Sequence, residues 1–370
     1  MFMYKYSTIL CRVFCFVGVM LLGCHGDKME FVIRSTAYGK IKGFISERVK
    51  GNPVENYLGV PYAAPPVGDL RFEYPQKPAI WSGTRDTLTL PAACPQRGDF
   101  SYIQMHKNFT IESEDCLYLN NKTQNKFPIL LYIHGGSNEV GMGAMLDGDV
   151  LAGFGKIIVI TFNYRLGALG FIGAREEGLK GNYGFLDQVA AMKWVRNNIH
   201  NFNGDPSMVT IDGHSAGAAD VGFHVISPMS KGLFRYAVVQ SGSPLAFWAM
   251  SRPEWRPGYN IDDCKKERAS CSVDLNIPYK QYLKSLSKDV IKNIPGKPTP
   301  ANLIAFPAIV DGEFLTDWPE KILNTGVING ESYFLSFTRD EGSQHAAITM
   351  SRKNFGGSIT SISINYFDNI

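Results

Sequence analysis

Two stretches of strand length, Pro128-Ile129-Leu130-Leu131-Tyr132-Ile133 and Lys156-Ile157-Ile158-Val159-Ile160-Thr161-Phe162, are apolar at almost every position. A strand with one face in water alternates apolar and polar residues. Unbroken runs therefore predict strands covered on both faces, as in a parallel sheet. Between Gly184 and Asn203 the period changes: Leu186, Val189, Ala190 and Trp194 recur at helical spacing, and Gly204-Asp205-Pro206 closes the segment. Met208-Val209-Thr210-Ile211 predicts a third strand and residues 216–226 a helix, with later strands at Tyr236-Ala237-Val238-Val239-Gln240 and around Tyr333. Alternating strands and helices of this kind define an α/β domain. The first hundred residues are richer in Gly and Pro, as in Pro61-Tyr62-Ala63-Ala64-Pro65-Pro66-Val67-Gly68, and predict short strands joined by ordered loops. No internal repeat or low-complexity linker interrupts the chain, which favours one domain over residues 25–370.

The N-terminus departs from this pattern. Lys5 and Arg12 precede an apolar run from Val13 to Leu22, followed by small residues around Gly23 and Gly26. A short apolar segment behind basic residues is the pattern of a signal peptide, assigned to residues 1–24. The run falls well short of the roughly 20 residues a membrane-spanning helix needs, so a permanent anchor is the weaker reading and membrane association is not indicated. Leu21-Leu22-Gly23-Cys24 also fits a lipoprotein signal, which nothing else favours. Export agrees with cysteine use: beyond the leader remain Cys94, Cys116, Cys264 and Cys271, an even set with three connectivities. Local pairing, Cys94 with Cys116 and Cys264 with Cys271, is the simplest in an oxidising compartment. Asn108-Phe109-Thr110 and Asn121-Lys122-Thr123 match the glycosylation tripeptide, so Asn108 and Asn121 are candidate acceptors of a secreted glycoprotein. The 370 residues carry 37 basic and 34 acidic side chains without long runs, which argues against a nucleic-acid partner.

The candidate chemistry lies at Gly213-His214-Ser215-Ala216-Gly217, a G-x-S-x-G pattern between a predicted strand and a predicted helix. That turn exposes the serine hydroxyl at its apex, and its flanking glycines tolerate the close approach of neighbouring backbone. A serine needs a base to take its proton, a third group to orient the base, and donors for the developing oxyanion. His134-Gly135-Gly136-Ser137 ends the first apolar strand. As an HGG-type loop it offers Gly135, Gly136 and Ser137 as oxyanion donors, together with the N–H of Ala216.

Ser113-Glu114-Asp115-Cys116-Leu117-Tyr118-Leu119-Asn120, Asn163-Tyr164-Arg165-Leu166-Gly167, Gly181-Asn182-Tyr183-Gly184-Phe185-Leu186-Asp187-Gln188 and the serine turn resemble the type-B carboxylesterase and cholinesterase family. The resemblance runs from about Phe31 to Gly342. It implies an α/β-hydrolase with a mostly parallel central sheet flanked by helices. It also implies hydrolysis of a small-molecule carboxylic ester through an acyl-enzyme on Ser215, without cofactor or metal. By the same resemblance Glu341, in Arg339-Asp340-Glu341-Gly342, is the triad acid, Trp248 lines the acyl pocket, and the cysteines pair locally. Arg71 with Glu114 and Arg165 with Asp187 are expected as structural ion pairs.

Four departures qualify that picture. His214 stands where the family usually carries Glu. The loop between Cys94 and Cys116 has Phe100, Tyr102, His106 and Phe109 but no Trp, which disfavours a quaternary ammonium substrate held against a Trp face. Polar Asn120-Asn121-Lys122-Thr123 falls where the family continues a strand. The family's triad histidine lies far beyond the acid, whereas this sequence runs only 29 residues past Glu341. Neither His345, close to Glu341, nor His224, at an ordinarily structural position, nor His25, His106 or His200 is a convincing base. The expectation is a domain missing its C-terminal portion, poorly soluble alone because a strand edge is left open, and inactive in this form. A competing function comes from His134-Gly135-Gly136-Ser137 with Gly141-Met142-Gly143-Ala144-Met145-Leu146-Asp147-Gly148. These segments resemble neuroligins, which use the fold for cell-surface recognition of a protein partner but typically lack the elbow serine.

Overall fold

The computed structural model describes residues 30–97, 111–123, 127–174, 178–250, 279–294 and 306–338. The leader of residues 1–24, His25, His106, Asn108, Cys264, Cys271, Glu341 and His345 lie outside the described residues. The chain divides into two compact units, Met1–Glu30 and Phe31–Ile370, and every described strand and helix belongs to the second.

The strands are β1 (Phe31–Thr36), β2 (Gly39–Val49), β3 (Asn52–Pro61), β4 (Thr84–Asp86), β5 (Tyr118–Thr123), β6 (Phe127–Ile133), β7 (Ile158–Phe162), β8 (Gly173–Ala174), β9 (Leu179–Lys180), β10 (Gly204–His214), β11 (Tyr236–Gln240) and β12 (Ser332–Ser336). The main sheet runs β1-β2-β3-β5-β7-β6-β10-β11-β12, with β4 beside β2 and β8 paired with β9 separately. From β7 to β12 every neighbour is parallel, whereas β1, β2, β3 and β5 form an antiparallel flank joined to β7 through β5. The predicted parallel strands fall where the apolar runs stand, and all five residues of β7 are buried. The helices are α1 (Asp149–Gly155), α2 (Gly167–Phe171), α3 (Tyr183–Asn198), α4 (Ala216–Ile226), α5 (Tyr279–Ser285), α6 (Lys288–Lys292) and α7 (Pro319–Asn324). Helix α4 packs on β10 and β11, while α1 packs on β2, β3 and β7. Phe185 of α3 meets Phe223 of α4 edge-on at 5.4 Å and stacks on Phe314 at 4.9 Å.

Three expectations change. The N-terminal flank is not a set of short strands: β2 and β3 are 11 and 10 residues long and form a hairpin around Gly51, whose φ of 78° suits glycine. The Gly and Pro residues mark the turns and the loop after β3. Strand β10 begins at Gly204, before the predicted start, and a register shift between Gly204 and Val209 accommodates Pro206, in keeping with the placing of proline at strand irregularities. Strand β5 continues through its polar residues. Asn120 accepts from Gly59 N–H at 3.1 Å, Lys122 pairs with Asp149 at 3.1 Å, and Thr123 donates to the carbonyl of Phe202 at 2.8 Å. Pairing these three side chains makes a buried polar strand tolerable, while the side-chain amide of Asn121 has no hydrogen-bond partner among the described residues. Asn121 is fully buried in this strand, between β3 and β7. A glycan has no room on its amide in the folded chain, so the tripeptide there does not mark a surface acceptor.

Two ion pairs occupy the expected positions. Arg165 and Asp187 are both buried and form a fork of bonds at 2.8 Å, tying the segment after β7 to α3. Arg71 holds Glu114 with two bonds and also donates to the carbonyls of Lys284 at 2.9 Å and Leu286 at 2.6 Å, which closes the C-terminal end of α5. At the end of the described sheet, β12 leaves Phe334 62% and Leu335 64% exposed. Among the described residues no helix is long and apolar enough to cross a membrane.

Cys94 and Cys116 are fully buried and joined in a disulfide across 22 residues of sequence. Closing a loop of that length removes freedom from the unfolded chain. Replacing both cysteines with serine is expected to lower the unfolding free energy by about 3 kcal/mol, measured by urea denaturation under non-reducing conditions. An unchanged midpoint would contradict this.

Candidate active site

Strands β6 and β10 are adjacent and parallel, with Ile133 opposite Gly213 at their C-terminal ends. The residues that follow each strand therefore emerge side by side. After β10 comes Ser215, at φ 57° and ψ −123°, then α4 from Ala216. This backbone is strained for any residue with a side chain. It is held by the Ser215 N–H, which donates to Gln240 O on β11 at 2.9 Å, and by the Ser215 carbonyl, which accepts from Ala218 and Ala219 N–H. Ser215 is half-buried and His214 exposed.

After β6 comes His134-Gly135-Gly136-Ser137, all three positions from Gly135 half-buried. Two glycines are required here by closeness alone. A Cβ on Gly135 would stand 2.4 Å from the carbonyl oxygen of His214 and 3.2 Å from Cβ of Ser215, and a Cβ on Gly217 would stand 2.2 Å from the carbonyl oxygen of Ile133. The loop and the serine turn are thus packed against each other backbone to backbone. Ala216 opens α4, where a helix's first N–H groups lack intrahelical acceptors and carry its positive end.

The structure brings Gly135 against Ser215, with Gly136 and Ser137 following Gly135 in the same loop and Ala216 following Ser215 at the start of α4. Trp248 is half-buried in the segment that leaves β11, and Gly242 of that segment touches the Ser215 backbone. Cys94–Cys116 is bonded as expected.

A buried polar chain beneath this site escaped the sequence reading. Asp220 of α4 accepts from Asn138 Nδ2 at 3.0 Å and from Gln188 Nε2 at 2.7 Å. Gln188 Oε1 in turn accepts from His224 Nε2 at 2.8 Å, and His224 Nδ1 accepts from the Ser230 hydroxyl at 2.7 Å. At the other end Tyr164 donates to the carbonyl of His134 at 2.7 Å and lies 3.1 Å from Asn138 Oδ1, while its ring stacks on His134 at 4.4 Å. The signal was available: Asp220 and His224 are the two polar residues in the otherwise apolar run from Ala216 to Ile226.

Burial dominates the electrostatics of this chain. It raises Asp220 to about 7, against the opposing effect of its two amide donors. His224 is lowered to about 3, and His134 to about 4 despite its bond to the Gly135 carbonyl. Both imidazoles are neutral near pH 7. His224, fully buried and bonded at both nitrogens, is structural as expected and cannot serve Ser215 as a base.

The signs follow by linkage. Unfolded, Asp220 loses its proton near 3.8, and folded near 7, so it favours the folded chain increasingly as pH falls from about 7 to about 4. His134 and His224 act oppositely: the unfolded chain binds protons below 6.5 that the folded chain refuses until about 4 and 3. Asp220→Asn keeps the shape of the side chain, gives up one accepted bond at every pH and removes only the first of these titrations. The melting temperature of the wild type relative to Asp220→Asn is therefore expected to rise as pH is lowered from about 7 to about 4, followed by calorimetry. A constant difference across that window would contradict the assignment.

The sequence pattern of the carboxylesterase family matches residues 31–367. Neuroligin-2 of Mus musculus is 34% identical over 362 residues, covering 87% of this chain and 42% of the relative. Pyrethroid hydrolase Ces2a of Mus musculus is 37% identical over 333 residues, covering 85% and 57%. The medium-chain fatty acyl-CoA hydrolase precursor of Anas platyrhynchos is 35% identical over 341 residues, covering 88% and 59%. The chain spans only about half the length of these curated relatives.

Proposed function

The chain belongs to the carboxylesterase family, whose fold is the α/β-hydrolase, and from that premise we propose that it hydrolyses carboxylic esters through an acyl-enzyme on Ser215. The single observation that carries the proposal is the meeting of the Ser215 turn with the Gly135–Ser137 loop at the ends of adjacent strands. Relatives named as hydrolases of pyrethroids and of fatty acyl-CoA support ester chemistry.

Ser215 Oγ forms a bond to the ester carbonyl carbon while its proton passes to a base oriented by the Glu341 carboxylate. The carbonyl oxygen, now negative, lies among the N–H groups of Gly135, Gly136, Ser137 and Ala216. Each such donor is worth roughly 3 to 4 kcal/mol of barrier. Collapse of the intermediate breaks the ester C–O bond and returns the proton to the alcohol, leaving the acyl group on Ser215. Water then repeats the sequence and frees the acid. His134 and His224, buried and neutral, are unsuited to be the base, His200 and His214 have nothing specific to recommend them, and the base is not assigned to a residue of this sequence. Trp248 borders the acyl side. Secretion through the leader, with Cys264–Cys271 and a glycan at Asn108, completes the proposal.

Similarity to neuroligin-2 favours a second reading, a recognition module with a protein partner. The two readings part at Ser215. With the protein expressed from its full transcript, a fluorophosphonate probe is expected to label Ser215, located by peptide mass spectrometry, and to leave Ser215→Ala unlabelled. Absence of labelling in that folded protein favours the recognition reading.

A further inference from the structure

The loop that lines the site is not self-supporting. Gly136 to Glu139 forms a tight turn in which Glu139 N–H donates to Gly136 O at 3.0 Å, with Ser137 at φ 60° and Asn138 at φ 56°. Two successive left-handed residues define a type I′ turn, a conformation residues other than glycine resist. Something outside the turn must hold it. The carbonyl of Asn138 accepts from Gly167 N–H at 2.7 Å, and its side chain reaches Tyr164 and Asp220. Asp220 lies on α4, the helix that also begins with Ala216. One buried bond at 3.0 Å therefore spans the two backbone segments that border Ser215.

We propose that Asp220 and Asn138 are positioning residues that fix the spacing between the Gly135–Ser137 loop and the N-terminus of α4. The inference rests on the esterase assignment of Ser215 and adds residues to it that touch neither substrate nor nucleophile. Asp220 is suited to the task because it cannot turn away. Its second oxygen is held by Gln188, Gln188 is held by His224, and His224 by Ser230. Asn138 is only 5% exposed and Asp220 fully buried, so water does not compete for the bond. A carboxylate in an apolar helix is a cost to folding, and here one of its bonds runs to the loop while the other braces it against α3.

The donor and acceptor pattern gives a clean exchange. Asn138→Asp alone sets two carboxyl groups face to face and forces the loop away from α4. Adding Asp220→Asn restores the bond with its direction reversed: the new amide donates to position 138 and accepts from Gln188, while Tyr164 keeps its bond to the His134 carbonyl. Asn138→Gly is a third variant, deleting the contact while accepting the left-handed backbone.

The experiment measures the rate at which a fluorophosphonate phosphonylates Ser215 at pH 8, with fluoride as the leaving group, and amide hydrogen exchange of residues 135–139, with melting temperature as the check on folding. Asn138→Asp and Asn138→Gly are expected to be phosphonylated roughly tenfold to a hundredfold more slowly, the effect of displacing a catalytic group by about 1 Å. Both should exchange faster at 135–139 with α4 still protected. The double exchange should recover both readouts to near the wild type. Wild-type rates in Asn138→Gly, or no recovery in a folded double variant, would overturn the inference. An unlabelled wild type instead overturns the esterase assignment, and unchanged exchange at residues 135–139 in Asn138→Gly then overturns the positioning role independently.

Discussion

Ile133 and Gly213 stand opposite each other at the ends of two neighbouring parallel strands, and the arrangement of the site depends on that register. Strands β6 and β10 deliver their following loops to the same edge of the sheet at the same level. Were the register shifted by one residue, side chains would exchange faces, and neither the Gly135 contact with Ser215 nor the Gly217 contact with Ile133 would survive. The fully buried β7 and the buried positions of β6 and β10 secure it, since each shift would take core residues such as Leu131, Ile160 and Ile211 out of register with their neighbours.

Below this edge lies a layer of polar side chains rather than more hydrocarbon. Tyr164, Asn138, Asp220, Gln188, His224 and Ser230 connect the turn after β6, the segment after β7, α3 and α4. Apolar packing is tolerant of small shifts, whereas hydrogen bonds fix direction as well as distance. Such a layer can therefore hold strained backbone at Ser137, Asn138 and Ser215 in place. Its titration is displaced by burial, upward for Asp220 and downward for His224.

How much of this was legible in the sequence varied with the physics involved. The parallel strands and α4 were readable because continuous apolar runs and G-x-S-x-G report on local chain behaviour. The antiparallel flank was misjudged, since Gly and Pro mark turns but say nothing of strand length between them. Strand β5 looked like an interruption because Asn120, Lys122 and Thr123 find partners on β3, on α1 and at the end of the segment after α3, contacts that no local pattern encodes. Asn121 matched an acceptor tripeptide, yet only the sheet reveals that it is enclosed. Asn138 and Asp220 are 82 residues apart, and their pairing emerges only once the sheet places the turn after β6 beside α4.

A crystal structure of the chain after reaction with an organophosphonate bears most directly on the central claim. The predicted result is a bond between phosphorus and Ser215 Oγ, with the phosphoryl oxygen about 3 Å from the N–H groups of Ala216 and of Gly136 or Ser137. A phosphoryl oxygen directed away from these groups, or a folded chain that leaves Ser215 unmodified, would contradict it.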